Sequence, residues 1–344
     1  MKRCVLIFTL TFLCLHIFAQ RKTTAQQKAV AQQKAIEAAG INLENITYPF
    51  PVKYLNTSSQ WQPLRMAYMD VQPNNPNGKT VLLLHGKNFN GAYWETTAKE
   101  LGKKGYRVII PDQFGFGKSS KPRHFQYSFQ LMALQTKNLL DSLNVTTTIV
   151  MGHSMGGMLA TRFALMYPNI TEKLVLEDPL GLEDYMAKVP YVPIEYWYKN
   201  ELKQDYNSLK KYQQENYYHG TWRAEYEKWV MILARWTMNQ DYSIIAWNSA
   251  LTYDMIMTQP VVYEISQLKM PTLLMVGELD RTAVGKTLVS DDVQKTMGNY
   301  PELAKQTADK IKGAKFVIVP KMGHIPHLES FDFFFKHLSA FLSE

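Results

Sequence analysis

A serine set between glycines is the first place in this sequence where residue types and spacing could do chemistry. Ser154 stands in the stretch IVMGHSMGG, with Gly152 two residues before it and Gly156 two residues after it. An apolar, strand-like run precedes the serine, and a helix-like apolar stretch follows at once. Side chains at the two glycine positions would collide with neighbouring backbone in a tight strand-to-helix turn. The pattern therefore predicts a strained turn that presents the hydroxyl of Ser154 as a nucleophile at the end of a strand.

A serine hydroxyl is a poor nucleophile at neutral pH, and it needs a base that an acid holds in place. Two loops after later strand-like runs supply candidates. The segment VGELDRTA contains Asp280, and the segment VPKMGHIPHLES contains His324. The chain order of nucleophile, acid and base is the one expected for a serine in a strand–turn–helix context. We therefore predict that His324 takes the proton of Ser154 and that Asp280 orients the imidazole.

Other side chains compete for these two roles. His327, His153 and His337 are alternatives for the base. His327 is the nearest rival, whereas His153 adjoins the serine and is expected to point away, and His337 lies on a predicted terminal helix. Glu278 and Asp178 are alternatives for the acid, and Asp178 is the stronger of the two because it also follows a strand-like run.

Acyl transfer also needs donors for the negative charge that develops on the carbonyl oxygen. Two backbone N–H groups must already point at that oxygen. Met155, the residue after the nucleophile, is predicted to supply one of them. Lys87, which follows the pair His85 and Gly86 at the end of the run TVLLLH, is predicted to supply the other.

Short, continuous apolar runs predict the strands that position these residues. Strands that are buried on both faces of a parallel sheet have this appearance. The runs cover residues 80–85, 107–112, 147–152, 173–178, 272–277 and 315–320. Helical patterns over 128–143 and 155–167 separate some of them, and this alternation predicts an α/β fold with a doubly wound, mostly parallel sheet.

One long stretch interrupts the alternation. About ninety residues separate the run that ends at Asp178 from the run that begins at Thr272, which is too many for a simple crossover. The stretch holds five of the seven tryptophans, and several of its aromatic residues recur at helical spacing. We predict a mostly helical insertion over the carboxyl edge of the sheet, where ligands bind in such folds. Most of these aromatic side chains are expected to attach the insertion to the main domain.

The first residues are typical of an export signal. Lys2 and Arg3 precede an apolar run over 4–18, and Ala19 is followed by a polar residue. We therefore expect a signal peptide over 1–19, a helical or mobile arm over 20–45, and an exported protein in the periplasm or outside the cell.

Composition narrows the class of protein further. The chain is 46% hydrophobic, which is typical of a globular protein with a large core. Both cysteines, Cys4 and Cys14, lie in the predicted signal, so the mature chain would hold no disulfide, no thiol nucleophile and no cysteine-bound metal. The formal charge of +8 falls to +6 without Lys2 and Arg3, and the basic residues are scattered. This pattern disfavours a nucleic-acid partner and leaves a small-molecule substrate as the expected partner.

Five motifs together resemble the α/β-hydrolase family. They are LLLHGKNFNGAYW, PDQFGFGKSSKP, GHSMGGMLA, GELDRTA and GHIPHLE, and they extend over roughly 68–344. The resemblance implies an eight-stranded sheet with core parts at 46–179 and 266–344, a helical cap at 180–265, and hydrolysis without a metal or cofactor. It also disfavours the dehalogenase and epoxide-hydrolase branches, because the nucleophile is serine. Lys87 departs from the small or aromatic residue that the family often has at this position, and residues 282–311 form a longer link than usual with no predicted function.

These observations lead to one expected function and several alternatives. We expect a serine hydrolase that cleaves small to medium apolar carboxylic esters through an acyl-enzyme. A carbon–carbon bond hydrolase of the meta-cleavage type and an aminopeptidase resembling proline iminopeptidases are alternatives on the same three residues. The aminopeptidase would need cap carboxylates for the substrate amine, for which Glu183 with Asp184, or Glu195, are candidates. A ligand-binding receptor or scaffold is the alternative outside catalysis, and the presence of all three catalytic positions disfavours it.

Overall fold

One sheet of eight strands forms the centre of the molecule. The strands are β1 (Val52–Ser59), β2 (Gln62–Val71), β3 (Thr80–Leu84), β4 (Arg107–Pro111), β5 (Thr148–His153), β6 (Thr171–Glu177), β7 (Thr272–Gly277) and β8 (Lys315–Val319). They come from a computed structural model that describes residues 37–344. The predicted signal peptide, 1–19, and residues 20–36 of the predicted arm lie outside the described residues.

The order of the strands is β1-β2-β4-β3-β5-β6-β7-β8. β1 and β2 form an antiparallel pair, and β2 is antiparallel to β4. All other neighbours are parallel, so β3 to β8 end at the same edge of the sheet. The predicted fold class, an α/β fold with a mostly parallel eight-stranded sheet, is confirmed. The six strands predicted from apolar runs agree with the structure to within two residues at each end.

The pleat of the strands divides the core into two layers. Successive side chains of a strand point to opposite faces of a sheet. In β3, Leu82 and Leu84 therefore join one hydrophobic cluster, whereas Val81 and Leu83 join the cluster on the other face. All four side chains are almost completely buried. A strand that is covered on both faces needs a continuous apolar run, which is the pattern that the sequence shows.

Helices form most of the connections between the strands and cover the sheet. Outside the long insertion they are α1 (Glu95–Lys103), α2 (Phe129–Ser142), α3 (Met155–Met166), α8 (Asp291–Gln294), α9 (Tyr300–Lys310), α10 (Pro326–Glu329) and α11 (Phe331–Ser343). Ser128 caps α2, because its hydroxyl accepts a hydrogen bond of 3.0 Å from the amide of Leu131. Within residues 37–344, no helix combines the length and the apolar character needed to cross a bilayer.

Four helices form the insertion between β6 and β7. They are α4 (Ile194–Glu201), α5 (Tyr206–Asn216), α6 (Glu227–Thr237) and α7 (Tyr242–Thr258). α4 packs along α7, and the rings of Trp197 and Tyr253 stack there with centroids 4.9 Å apart. Tyr218 and Tyr226 stack at 3.7 Å elsewhere in the insertion. These two pairs pack within the insertion. Trp229 and Tyr217 instead contact Tyr93 and Phe89 of the main domain, which is the role expected for most of the aromatic residues.

Candidate active site

Ser154 lies in a strained turn between β5 and α3. Its φ of 57° and ψ of −123° fall in a region of backbone conformation that residues other than glycine rarely adopt. A Cβ at Gly152 would lie 2.0 Å from the carbonyl oxygen of Gly156, and a Cβ at Gly156 would lie 2.2 Å from that of Leu84. Both glycines are therefore required by direct backbone contact, as the sequence predicted.

The side chains of Ser154, His324 and Asp280 form a continuous hydrogen-bonded chain. Nε2 of His324 lies 2.9 Å from Oγ of Ser154, and Nδ1 of His324 lies 2.7 Å from Oδ2 of Asp280. A carboxylate can only accept, so Nδ1 carries the proton and Nε2 is left to accept from the serine hydroxyl. The other oxygen of Asp280, Oδ1, accepts a 2.8 Å hydrogen bond from the amide of Thr282. All three predicted residues are brought together, and each is at most 5% exposed.

The rival bases lie elsewhere. Nδ1 of His327 lies 3.0 Å from both carboxylate oxygens of Glu177, and its ring stacks on Trp94 with centroids 4.2 Å apart. Nδ1 of His337 donates to the carbonyl of Phe333 one turn earlier in α11. Neither imidazole contacts the nucleophile among the described residues.

The alternative acid, Asp178, lies next to Asp280 and His324. Carboxylate oxygens of Asp178 and Asp280 and a ring nitrogen of His324 all lie within 4.8 Å of one another. Burial, followed by the charge of Asp280, raises the pKa of Asp178 well above its usual range. Oδ1 of Asp178 accepts from the amide of Gly277 at 2.9 Å, whereas Oδ2 has no donor among the described residues. Glu278, the other rival acid, is exposed and accepts from the amide of Lys321.

A proton accounts for the arrangement of the two carboxyl groups. Two buried carboxylates in contact cannot both be ionised without a large cost. A proton on Asp178, which its raised pKa favours, would let Oδ2 donate to Asp280 and would leave one negative charge beside His324. Asp178, Asp280 and His324 could also offer three ligand atoms to a cation.

The peptide group between Gly86 and Lys87 is fixed in orientation. Its carbonyl oxygen accepts from Nδ1 of His85 at 2.9 Å and from the amide of Phe89 at 3.2 Å. In a trans peptide the N–H points opposite to the C=O, so these bonds also aim the amide of Lys87. A Cβ built on Gly86 would lie 3.1 Å from Cβ of Ser154, which places this loop directly beside the nucleophile.

The amides of Lys87 and Met155 are free to bind a developing oxyanion. Met155 is the first residue of α3, and the first amides of a helix have no partner within it. Within residues 37–344, the amide of Lys87 donates no backbone hydrogen bond. The pair therefore has the character of the predicted oxyanion donors.

A second series of hydrogen bonds links the loop of Gly86 and Lys87, called the oxyanion loop below, to the base His324. Nε2 of His153 donates to the carbonyl of His324 at 2.7 Å, because a carbonyl can only accept. Nδ1 of His153 consequently accepts from the hydroxyl of Tyr93 at 3.0 Å, and that hydroxyl accepts from the amide of Gly86 at 2.9 Å. Burial lowers the pKa of His153 well below its usual value, so the ring stays neutral and this tautomer is kept.

Two further groups hold the loop that carries His324. The carboxylate of Glu329 accepts from the amide of Gly323 at 3.1 Å and from the amide of Ile325 at 3.0 Å, on either side of the histidine. The amide of His324 itself donates to the carbonyl of Tyr217 at 2.7 Å. Tyr217 belongs to the insertion, and its ring stacks on that of His324 with centroids 5.1 Å apart. The insertion therefore helps to position the base.

A cavity lies between the oxyanion loop and the insertion. Its volume is about 40 Å³. Its walls are formed by Lys87, Asn88, Gly115, Phe116, Glu201, Leu209, Leu233, Trp236, Tyr242, Ile245 and Ser249. Asn88 donates to the hydroxyl of Tyr217 at 2.7 Å, so one wall of the cavity is shared with the residue that stacks on His324.

The three carboxylates of the insertion that were predicted as candidates to bind a substrate amine lie away from this cavity. Glu183 forms an ion pair of 2.8 Å with Lys188 and accepts from the amide of Gly298. Asp184 accepts from the hydroxyl of Tyr263 at 2.8 Å. Glu195 is exposed on α4. None of the three lines the cavity.

Residues 79–331 match the sequence model of the alpha/beta hydrolase fold. The chain belongs to the α/β-hydrolase family. A probable hydrolytic enzyme from Pseudomonas aeruginosa PAO1 of known structure is 48% identical to this α/β hydrolase, with a TM-score of 0.88 over 89% of this chain and 99% of that one.

Curated relatives match a shorter part of this α/β hydrolase. The 2-hydroxy-6-oxo-6-phenylhexa-2,4-dienoate hydrolase of Comamonas testosteroni is 31% identical over 138 residues, which are 39% of this chain and 48% of that protein. Lipase 1 of Psychrobacter immobilis is 34% identical over 127 residues, 37% of this chain and 38% of that protein. The matched stretches thus span less than half of these relatives.

Sequence reasoning missed the groups of this α/β hydrolase that hold the three central residues. Tyr93 and Glu329 both lie inside the motifs that resemble the family, but the sequence assigned neither of them a role. Their hydrogen bonds show that Tyr93 holds the amide of Gly86 and that Glu329 holds the loop of His324. The segment 282–311, which had no predicted function, contributes Tyr300. This buried side chain meets the His324 ring edge-on with centroids 6.1 Å apart.

Proposed function

We propose that this chain is a serine hydrolase that cleaves carboxylic esters through an acyl-enzyme. The observation that carries the proposal is the continuous chain from Ser154 through His324 to Asp280, at 2.9 Å and 2.7 Å. This geometry is ready for proton transfer, because candidate bases must lie within hydrogen-bond reach of the proton that they remove.

In the proposed reaction His324 takes the proton of Ser154 while Oγ attacks the ester carbonyl. Asp280 remains ionised and stabilises the imidazolium that forms. The amides of Lys87 and Met155 bind the oxyanion of the tetrahedral intermediate. The ester C–O bond then breaks, and His324 gives its proton to the leaving alkoxide. Water attacks the acyl-enzyme in the same way, with His324 again as base, and releases the acid.

The lining of the cavity supports apolar esters as substrates. Most of its walls are apolar or aromatic, which favours a largely apolar substrate. Glu183 and Asp184 are engaged elsewhere, and Glu201 in the cavity wall is paired with Lys87, which favours esters over N-terminal peptide bonds.

A carbon–carbon bond hydrolase is the second candidate. The observation that favours it is the similarity to the Comamonas testosteroni hydrolase, whose name describes a dienoate substrate. The same nucleophile and base would serve both reactions. A panel of ethyl esters, anilides and β-diketones separates the candidates, because the ester proposal requires the esters to be the best substrates by kcat/KM.

The decisive variant is Ser154→Ala, measured with ethyl esters of graded chain length. Losing the nucleophile should lower kcat/KM by about 10⁴-fold or more. Labelling with a fluorophosphonate probe supplies a second readout, since only an activated serine reacts. Unchanged turnover in Ser154→Ala would end the proposal, and a wild-type protein that neither turns over esters nor labels would favour a binding protein.

We also propose that the protein acts outside the cytoplasm. The basic residues Lys2 and Arg3, the apolar run and Ala19 support this. N-terminal sequencing of the protein recovered from the periplasm or medium should begin at Gln20, and recovery of the intact chain from the cytoplasm alone would contradict it.

A further inference from the structure

A buried ammonium group lies in the wall of the cavity between the oxyanion loop and the insertion. The side chain of Lys87 is only 6% exposed and contacts two residues of the cavity wall, Ser249 and Glu201. Its Nζ lies 2.5 Å from the hydroxyl of Ser249 and 3.6 Å from the carboxylate of Glu201. It also lies 3.6 Å from the centre of the Tyr253 ring, which is backed by the stacked ring of Trp197. The ammonium is therefore held at a fixed position by a hydroxyl, a carboxylate and an aromatic face.

The ammonium of Lys87 makes one short hydrogen bond and two longer contacts. A lysine ammonium has three N–H donors. Within residues 37–344, Nζ of Lys87 makes one hydrogen bond, to Ser249, and the contact with Glu201 is beyond hydrogen-bond distance. Buried donors are normally satisfied, because an unmet donor away from water costs free energy.

Lys121 shows what a purely structural buried lysine looks like in this protein. It is also buried, and it also lies near the insertion, with Nζ 5.1 Å from the ring of Trp236. Its ammonium donates to three backbone carbonyls, those of Phe116, Gly117 and Ser119. Three acceptors match the three donors of Lys121, whereas Lys87 has one acceptor at short hydrogen-bond distance and two longer contacts.

The position of Lys87 connects the cavity to the chemistry. Its own amide is one of the two proposed oxyanion donors. A Cβ built on the preceding residue, Gly86, would lie 3.1 Å from Cβ of Ser154. The next residue, Asn88, lines the cavity and holds Tyr217 against His324. A substrate that places its carbonyl on the oxyanion donors therefore has the ammonium within reach of another of its groups.

The charges around Lys87 indicate what that group is. The ammonium and Glu201 together are neutral, and an anionic ligand would leave one uncompensated charge in a largely apolar cavity. Burying an unpaired charge is much more costly than burying a neutral, hydrogen-bonded oxygen. Burial lowers the pKa of Lys87 to about 8, with Glu201 acting in the opposite direction, so most molecules keep the proton at neutral pH.

We propose that Lys87 is a specificity determinant that donates to a second, neutral oxygen of the substrate, such as a ketone, besides the scissile ester. This inference rests on the proposed ester hydrolysis and names its substrate class: short esters of otherwise apolar character that carry one further oxygen acceptor. The ammonium binds this oxygen and takes no part in bond breaking.

The test uses three ethyl esters of nearly equal shape: ethyl 4-oxopentanoate, ethyl 4-methylpentanoate and monoethyl succinate. A second pair, 4-oxopentyl acetate and 4-methylpentyl acetate, carries the acceptor on the alcohol. Hydrolysis is followed by titration of the released acid. In the wild-type protein, kcat/KM for the oxo compound should exceed that of its methyl partner by at least about tenfold in one of the two pairs.

Lys87→Met should bring that ratio close to one. The ratio is taken within each variant, so a general loss of rate from a shifted oxyanion loop cancels. Lys121→Met is the matched control, and it should keep the wild-type ratio. The double variant Lys87→Met/Glu201→Gln leaves no unpaired carboxylate and provides the same comparison if the single variant does not fold.

The outcomes distinguish this inference from the function on which it rests. Ester hydrolysis that depends on Ser154 but shows no oxo preference in either pair overturns only the role of Lys87, as does a preference that survives Lys87→Met. A preference for monoethyl succinate overturns the choice of a neutral acceptor. Absence of Ser154-dependent ester hydrolysis overturns the proposed function itself.

Discussion

The hydroxyl of Tyr93 and Nδ1 of His153 lie 3.0 Å apart and join the two halves of the candidate site. Tyr93 accepts from the amide of Gly86 in the oxyanion loop, and His153 donates to the carbonyl of the base, His324. Each bond has one permitted direction, because the carbonyl at one end only accepts and the amide at the other only donates. The oxyanion donors and the base are therefore positioned by one connected network.

Tyr93→Phe should weaken catalysis without touching any reacting group. The change removes one hydroxyl and leaves the amide of Gly86 and the ring nitrogen of His153 without partners. We expect kcat to fall by about 10-fold to 100-fold, because small displacements of positioning groups have such effects, while KM changes little. Steady-state kinetics on a good ester substrate checks this. An unaltered kcat in a folded Tyr93→Phe variant would show that the network has no positioning role.

Asp178→Asn should be nearly silent, in contrast to the same change at Asp280. If Asp178 holds a proton and donates it to Asp280, an asparagine amide can replace that donor without moving charge. We expect kcat/KM within about threefold of wild type for Asp178→Asn, and a loss of about 10⁴-fold for Asp280→Asn, which disturbs the histidine tautomer. Asp178→Ala, which removes the donor, should lie between them. A loss in Asp178→Asn as large as in Asp280→Asn would mean that Asp178 is ionised and acts as an acid partner of His324.

The stability of the His324 loop should depend on pH through Glu329. Burial raises the pKa of Glu329 from its ordinary value of 4.5 to about 7. The folded state therefore binds this proton more tightly than the unfolded chain does. Its contribution is complete below pH 4.5 and is lost as the pH rises through 7, by up to about 3 kcal/mol.

Glu329→Gln isolates this effect because glutamine does not titrate. We expect the difference in unfolding free energy between pH 5 and pH 8, measured by urea denaturation, to be smaller in the variant than in wild type. All other titrating groups are common to both proteins and cancel. Equal differences in the two proteins would contradict the raised pKa.

The sequence was sufficient where a local pattern fixes the geometry. The glycines around Ser154 are required by backbone contacts within the turn and with the adjacent strand, so their spacing predicts the turn. Asp280 and His324 follow strands whose carboxyl ends meet at one edge, and parallel strands bring such residues together. The continuous apolar runs likewise predicted β3 to β8, but not β2, in which residues 66–69 are also buried.

Other features depend on contacts that no local pattern encodes. The bond between Tyr93 and His153 joins residues sixty positions apart. The contacts of Lys87 with Glu201 and Ser249 depend on how two insertion helices pack against each other. β1 was not among the apolar runs because most of its residues are exposed or half-exposed, so its pattern is weakly apolar.

Two glycine-to-alanine variants test the strained turn at Ser154 by opposite effects. In Gly152→Ala the new Cβ would lie 2.0 Å from the carbonyl oxygen of Gly156, which is backbone and cannot rotate away. We expect the free energy of unfolding to fall by about 3 kcal/mol, the upper part of the usual cost of overpacking, because the neighbouring backbone cannot move aside. Ester hydrolysis should fall with it, because any relaxation moves Ser154.

Gly102→Ala, near the end of α1, meets no atom within 4 Å and should stabilise the protein by about 0.5 kcal/mol through its better helix propensity. Chemical denaturation of both variants measures the contrast, and a Gly152→Ala protein as stable and active as wild type would show that the turn is not constrained by backbone contact.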